Sequence, residues 1–445
     1  MRTDRLLSTL IVLGMAALLA RPAAGADASL PAQPLTEQNA VAFGLEHNRA
    51  LMAAKKDVAA AGQKVKQSQA DYYPKVDASY RFTHLSDQPV VGFGGGTFFP
   101  GGYTNTNRWE VQLTQPLFTG FARSSQLKIS RMDESIAKYR MEEARLDFVR
   151  DIRHAFWQTI LGEKLLQVAR ENVNSLQVQR RNAEANYQQG LTARNDVLKA
   201  EVALSQAVQR ERSTLKQVVM LRSRLNQVLG IDLQTTLTLA GGDIAPGPLP
   251  PLEHFYAAAE KQRPEYLSVG TSIQQADQAI KAARSRYYPH LSAFAQYYRE
   301  GEDFTADRNI YTNSDNTAVG VRMDWNLFEG GKTDAAAREW LYKRQALEER
   351  QRDLKEQIRL QVEDAYEQLH VAMANIDTAQ AALDQAKENE RMTTLQYKEQ
   401  LVIFLEVLNA QVFVSQSQAD YYQALYGYRI ASSDLERATG GPAGQ

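Results

Sequence analysis

Two hydrophobic periodicities divide this chain. After Pro74, Val76, Ala78, Tyr80 and Phe82 alternate with Lys75, Asp77, Ser79 and Arg81, and later Trp109, Val111 and Leu113 alternate with Glu110, Gln112 and Thr114. A period of two gives a strand one apolar and one polar face. The pattern returns at Val319, Val321, Met323, Trp325 and Leu327, interleaved with Gly320, Arg322, Asp324 and Asn326. Elsewhere the period is helical. Leu354, Ile358, Val362, Ala365, Leu369, Ala372 and Ile376 fall at steps of three and four, as do Val149, Ile152, Phe156 and Ile160, and each set makes a one-sided apolar stripe. A continuous helix from Phe121 to Tyr187 would be about 100 Å long at about 1.5 Å per residue, far beyond a globular helix. The Ala-rich, Pro-free stretch from Ala40 to Ala70 predicts a shorter helix that Pro74 stops.

These elements recur because the chain is a tandem duplication. Tyr72-Tyr73-Pro74 returns as Tyr287-Tyr288-Pro289, an offset of 215. Leu117-Phe118 with Gly120, then Tyr187, Val197-Leu198, Ala200 and Gly230, return as Leu327-Phe328 with Gly330, then Tyr397, Val407-Leu408, Ala410 and Gly440, each at an offset of 210. The drop between the two offsets marks a loop in the second copy that tolerates length change. Each copy reads helix, two strands, helix, helix. The first spans residues 27–240 with a hairpin at 75–118, and the second spans 252–440 with a hairpin at 290–328. Gly241 to Pro251 is a Gly/Pro linker, preceded by a strand candidate at Thr236 to Leu239. The stretches around Gly92 to Gly102 and Gly301 to Asn316 read as exposed loops. The cluster Gly92, Gly94, Gly95, Gly96 lacks the helix start and the Lys-Ser/Thr pair of a phosphate-binding loop. The small, polar tail from Ala438 predicts fraying, with 441–445 flexible.

Composition narrows the setting. Arg2 and Arg5 precede an apolar run from Leu6 to Ala20 and a small-residue cleavage site at Ala24-Gly25-Ala26. Residues 1–26 therefore read as a secretory signal peptide, with Asp27 starting the mature chain. With 0 Cys there is neither a disulfide nor a cysteine to lipidate, so membrane attachment has to come from the fold. Lys+Arg 51 against Asp+Glu 52 leaves no electrostatic footprint for nucleic acid. A mean hydropathy of -0.44 and only 14 Pro suit extended helices. Past the signal no apolar run is long enough for a spanning helix, so only strands could cross a bilayer. Four strands of about ten residues match the thickness that a tilted transmembrane strand covers. Four strands cannot close a barrel, and open edges are not tolerated in lipid, so several chains must pool their strands. The long helices would bury their stripes against neighbours in a cylinder continuous with that barrel.

The landmarks resemble those of the TolC family of outer-membrane efflux proteins. They are Asn-Arg-Ala-Leu at Asn48 to Leu51, Tyr-Tyr-Pro before each hairpin, Leu-Phe-x-Gly after it, and Val-Leu-x-Ala after each helical turn, from about Leu35 to Gly440. The resemblance implies a mainly α fold with β: tandem-duplicated long coiled coils forming a trimeric α-barrel, joined to a 12-stranded outer-membrane β-barrel with four strands per chain. It implies an exit duct of an efflux pump or type I secretion system, without a cofactor. Its partners would be a periplasmic adaptor (membrane fusion protein), an inner-membrane pump and outer-membrane lipid. It places a closed tip where the long helices turn back, around Gly190 to Asp196 and Gln400 to Glu406. The family's constriction acids match Glu406 and Asn409, of which only Glu406 is charged, so a trimer would carry a three-carboxylate ring. Its latch residues match Tyr397 and Asp196, while the latch arginine's position holds Val402. Ile403 and Phe404 are candidates for a hydrophobic constriction. Gly190-Leu191 and Gln400-Leu401 are candidates for adaptor contact.

Two other classes compete. An enzyme reading rests on Glu367 with His370, the i, i+3 spacing of di-metal carboxylate bundles, but the positions 210 earlier are Trp157 and Ile160, so the second Glu-x-x-His is missing. There is no His-Glu-x-x-His, no Gly-x-Ser-x-Gly and no cysteine nucleophile. A periplasmic coiled-coil adaptor or scaffold would account for the helices but not for two matching amphipathic strand pairs. At the tip, the plainer reading is that Glu406 is a solvated helix charge and that Tyr397, Ile403 and Phe404 pack the coil.

Overall fold

The computed structural model describes residues 34–242 and 244–441. The expected signal peptide lies outside the described residues, as does all of the expected tail except Gly441.

The first copy opens with α1 (Glu37–His47) and α2 (Arg49–Ala70). The single helix expected from Ala40 is broken at Asn48, whose extended backbone (φ -69, ψ 120) lets its Oδ1 accept the Leu51 amide at 2.8 Å. The side chain thus starts a new helix where composition alone would continue the old one. Then come β1 (Lys75–His84), β2 (Val90–Phe93), β3 (Thr97–Pro100), β4 (Asn105–Thr119), α3 (Ala122–Gln188) and α4 (Arg194–Leu229). The second copy has α5 (Leu252–Gln262), α6 (Pro264–Arg284), β5 (His290–Gly301), β6 (Asp315–Asp324), α7 (Lys332–Lys398) and α8 (Phe404–Thr439). The matching long helices have equal lengths: 67 residues for α3 and α7, and 36 for α4 and α8.

The strands pair antiparallel in the order β1-β4-β5-β6, so one hairpin from each copy joins through β4 and β5, and β1 and β6 are the edges. The register puts Tyr80 opposite Trp109, Ala78 opposite Val111 and Val76 opposite Leu113. Val111 then faces Tyr297 and Leu113 faces Ala295, and Ala295, Ala293 and Leu291 face Val319, Val321 and Met323. One apolar face therefore continues across all four strands. The opposite face carries Lys75, Asp77, Arg81, Arg108, Glu110, Gln296, Glu300, Arg322 and Asp324. There the Arg108 guanidinium lies 4.1 Å over the Tyr298 ring and pairs with Glu110 at 3.2 Å and Glu300 at 3.4 Å. β4 slips register between Pro116 and Phe118, a bulge where proline's missing donor is tolerated.

Three strand expectations change. The glycine-rich stretch around Gly92 to Gly102 is not all loop: β2 and β3 form a separate hairpin around Gly94 to Gly96, with Gly95 and Gly96 at φ +98 and +84. The glycines supply the turn and hide the β-prone Val and Phe beside them. The last strand ends at Asp324, so Trp325 and Leu327 lie beyond it. Thr236 to Leu239 yields only an isolated bridge from Leu35 to Leu239.

The strand-to-helix switch after β4 runs through Gly120 (φ +59) and Phe121 (φ 70). A side chain at Gly120 would meet the Ser285 carbonyl oxygen at 2.3 Å, so only glycine fits. Below the sheet, α1, α3 and the end of α4 enclose one core, with Ile152, Phe156, Trp157, Ile160, Leu225 and Leu229 buried. In the second copy α5, α7 and α8 enclose another around Phe255, Ile358, Val362, Leu369 and Leu435. Both helical stripes read from sequence contribute to these cores. The fraying expected from Ala438 is not seen. Ala438 and Thr439 are buried, and the Gly440 backbone lies against Gln262 and Arg263, because small residues let α8 approach the end of α5 closely.

Between the cores sits a buried charge network. Arg437, 10% exposed, donates to Asp147 of α3 at 2.5 Å and to Glu265 of α6 at 2.7 Å. Arg263 donates to the same Glu265 carboxylate at 3.2 Å and to Gln361 of α7 at 2.6 Å. Burial pushes Glu265 up, but the Arg437 hydrogen bond and the Arg263 charge outweigh it, and the net direction is down. Burial and the nearby Glu265 push Glu143 up. Glu265 therefore adds stability at neutral pH that is lost as pH falls through its depressed value, below the ordinary glutamate range. Glu143 acts in the opposite sense, losing a strain when it is protonated. Arg437→Ala should destabilise the protein by about 3 kcal/mol, the cost of a buried carboxylate losing a partner. Thermal melting against pH tests both points. Wild type should lose stability on acidification, Glu265→Gln should flatten that loss, and an unchanged profile would remove Glu265 from the account.

Candidate functional site

The helical turns opposite the sheet are built alike. After α3, Gly190 takes φ +73, its amide donates to the Tyr187 carbonyl at 2.9 Å, and the Leu191 amide donates to Asn186 at 2.9 Å. After α7, Gln400 takes φ +61, with Gln400 and Leu401 donating to Tyr397 at 3.0 Å and to Gln396 at 2.9 Å. Both are helix stops with a left-handed residue, and the second sets a side chain where glycine is favoured, a strain of about 1 kcal/mol. All four adaptor-contact candidates, Gly190, Leu191, Gln400 and Leu401, are exposed. Asp196 and Glu406 each lie in the first turn of the returning helix, where a carboxylate offsets the helix dipole.

The packed interior of the tips joins the two copies. Val173, Leu176 and Ala183 of α3, Val197, Ala200 and Ala207 of α4, and Phe404 and Leu408 of α8 form one cluster, with Tyr397 against it. The Tyr397 and Phe404 rings lie 5.6 Å apart. The Tyr397 hydroxyl is buried without a partner of hydrogen-bonding geometry, the Asn186 side chain lying beside it. Burial pushes this phenol up, and the Asp196 carboxylate adds to the shift. The fold thus brings Tyr397 and Asp196 together within one chain.

Phe404 requires a correction. At 2% exposed it is inside this cluster and cannot line a constriction, whereas Ile403 is 63% exposed and can. Both are apolar residues beside a turn, and only the position of α3 and α4 decides which one is covered. Glu406 and Asn409 are exposed on one face of α8. Phe413, 61% exposed, continues that face two turns along. The sequence reading missed Phe413; its i+7 spacing from Glu406 was the available signal. Glu367 and His370 are both exposed on α7, and among the described residues no group of three or more His, Cys, Asp or Glu could hold a metal. Among the described residues no helix is long and apolar enough to cross a membrane.

A family model described as outer membrane efflux protein matches residues 44–231 and 255–441. The alkaline protease secretion protein AprF of Pseudomonas aeruginosa is 23% identical, over 73% of this chain and 68% of its own. The outer membrane efflux protein BepC of Brucella suis is 24% identical, over 91% and 85%. Among solved structures, the outer membrane protein VceC of Vibrio cholerae superposes with a TM-score of 0.76 at 14% identity, covering 91% of this chain and 96% of that one. The open state of the MtrE outer membrane channel of Neisseria gonorrhoeae gives 0.72 at 15%, covering 91% and 89%.

The packing at the tip sets unequal tolerances. Phe404→Ala should lower stability by about 3–5 kcal/mol through the cavity it leaves, and Ile403→Ala by less than about 0.5 kcal/mol as an exposed change. Thermal melting of the detergent-solubilised variants reads the difference, and equal losses would contradict the burial described for Phe404.

Proposed function

Because this chain belongs to the outer membrane efflux protein family, we propose that it is the outer-membrane exit duct of an efflux or secretion machine, a passive gated channel driven by an inner-membrane transporter. The observation that carries this reading is the four-stranded sheet with one continuous apolar face and two unpaired edges, set on 67-residue helices. In lipid those edges must be paired. Three copies, each joining its β6 to the next chain's β1, make a barrel within the known size range of about eight strands or more. The helices then close a tube in the periplasm. The exposed apolar residues Val202, Val219 and Met220 of α4 and Leu360, Val371 and Leu395 of α7 meet neighbouring chains there. Efflux and secretion are both within the proposal, since BepC is named for the first and AprF for the second.

On this reading the turns at Gly190-Leu191 and Gln400-Leu401 face a periplasmic adaptor, and Glu406, Asn409, Ile403 and Phe413 line the entrance. Three Glu406 carboxylates in a ring favour cations. Tyr397 and Asp196 hold the coils together when the tip is closed, beside Val402 where the related latch carries an arginine. Opening moves α7 and α8 against α3 and α4, as packed helices slide in shear motions.

Planar-bilayer recording tests this directly. Wild type should insert, conduct in small steps and give a cation-selective reversal potential in a salt gradient, and Glu406→Ala should move that potential toward zero. An unmoved potential would remove the ring. Recovery of folded protein only in the soluble periplasmic fraction would overturn the channel and favour a scaffold.

A further inference from the structure

The two long hairpins of the chain have the same register. Lys75 opposite Thr114 and Val76 opposite Leu113 become, with 215 added on the first strand and 210 on the second, His290 opposite Asp324 and Leu291 opposite Met323, as observed. The match reaches the strand ends, where Gln115 donates to the Tyr72 carbonyl at 3.0 Å and its counterpart Trp325 donates to the Tyr287 carbonyl at 3.2 Å. Past that point the repeats part. β4 runs 15 residues to Thr119, and β5 pairs with it as far as Thr119 opposite His290. β6 runs 10 residues and stops at Asp324. Leu327 and Phe328, the counterparts of Leu117 and Phe118, are strongly exposed, Phe328 at 86%.

The β4–β5 junction, where the first repeat meets the second, also has a packed corner. Tyr288 lies edge-on to Phe118 and Phe121, with ring centres at 6.4 and 5.7 Å, and the Gly120 backbone sits against Ser285 and Tyr288. The matching residues at the sheet's two outer edges are Tyr73, 71% exposed, beside β1, and Phe328 and Gly330 beyond β6. Gly330 keeps the φ of +59 found at Gly120, yet a side chain there would meet nothing within 4 Å in its own chain. A repeated sequence that holds a repeated backbone serves one contact twice, and for the second contact the first repeat has to come from another chain. We infer that β6 extends through Glu329 along β1 of a second copy of this chain, in the register that β4 takes on β5. That register sets Val321 opposite the partner's Phe82, Met323 opposite the partner's Tyr80 and Trp325 opposite the partner's Ala78. The bulge between Pro116 and Phe118 returns at Leu327, so that Phe328 lies opposite the partner's Val76 and Glu329 opposite the partner's Lys75. Apolar side chains meet at the first four pairs and opposite charges at the last, each also holding a partner in its own chain, Asp77 at 2.9 Å from Lys75 and Arg286 at 3.8 Å from Glu329. A slip of one residue would set every apolar side chain of β6 beside a polar one. This rests on the trimeric barrel proposed above and gives its seam a register.

The natural absence of cysteine makes the test clean. Val76→Cys with Phe328→Cys in one chain places two thiols directly opposite across each seam, about 4.5–5.5 Å apart between Cα atoms, inside the range of about 4.4–6.8 Å that a disulfide spans. The trimer is first established by the migration of unheated protein. Mild oxidation should then close every seam and give a covalent trimer band that survives heating and disappears on reduction. Phe328→Cys with Ala78→Cys, a slip of two residues on the same face, sets the thiols about 7–8 Å apart and should link roughly tenfold less. Met323→Cys with Tyr80→Cys probes the same register away from the bulge. A trimer in which the slipped pair links best, or in which no pair links, overturns the register alone. Linking at Met323 and Tyr80 without linking at Phe328 and Val76 confines the seam to β6 and overturns the extension through Glu329. Failure to form any trimer overturns the barrel reading and the seam with it.

Discussion

Among the described residues, no strand pairs with the outer sides of β1 and β6, and a bilayer offers their backbone groups no partner. Each such group left bare in hydrocarbon is unfavourable by several kcal/mol, more in sum than the apolar face of the sheet could offset. Every larger feature follows from that constraint. The sheet can exist in a membrane only as a segment of a closed wall, which is the ground for proposing the chain as one stave of an assembly. The helices, continuous with the strands through switches such as Gly120-Phe121, are carried into the same ring. Their apolar stripes can then be narrow, because each helix finds neighbours on both sides.

Much of this was legible in the sequence because it is local and periodic. The alternation at Val76 to Phe82 and the three-four spacing at Leu354 to Ile376 state which face is apolar without any knowledge of what covers it. What could not be read falls into two kinds. Some features were masked by composition: glycines beside Val90 and Phe98 concealed a hairpin, and the small residues after Leu435 concealed a tightly packed helix end. Others are set by distance along the chain. Arg437 meets Asp147 and Glu265 across separations of 290 and 172 residues, and charged residues on amphipathic helices ordinarily read as solvated. Ile403 and Phe404 were indistinguishable in sequence for the same reason, since α3 and α4 alone decide which is enclosed.

At the tip, the contact between the two repeats is built without a cation. It is carried by Phe404 and Leu408 packed among Val173, Leu176, Val197 and Ala200 of α3 and α4, with the uncharged Val402 close by in the turn. Apolar contact is insensitive to ionic strength, whereas an exposed ion pair weakens as salt rises. The remaining polar element is Tyr397 beside Asp196, both half-buried.

The equal lengths of the two copies' helices, 67 and 36 residues in each, act as a gauge. Deleting one residue from a long helix shortens it by about 1.5 Å and turns everything beyond it by about 100°, tilting the rim and rotating the apolar stripe out of its seam. Drift in length is therefore admissible only when it strikes both halves together and in steps that restore the stripe, near multiples of seven. The duplication is thus more than a record of origin: it couples the two halves, so that the height of the tube can evolve while neither half evolves alone.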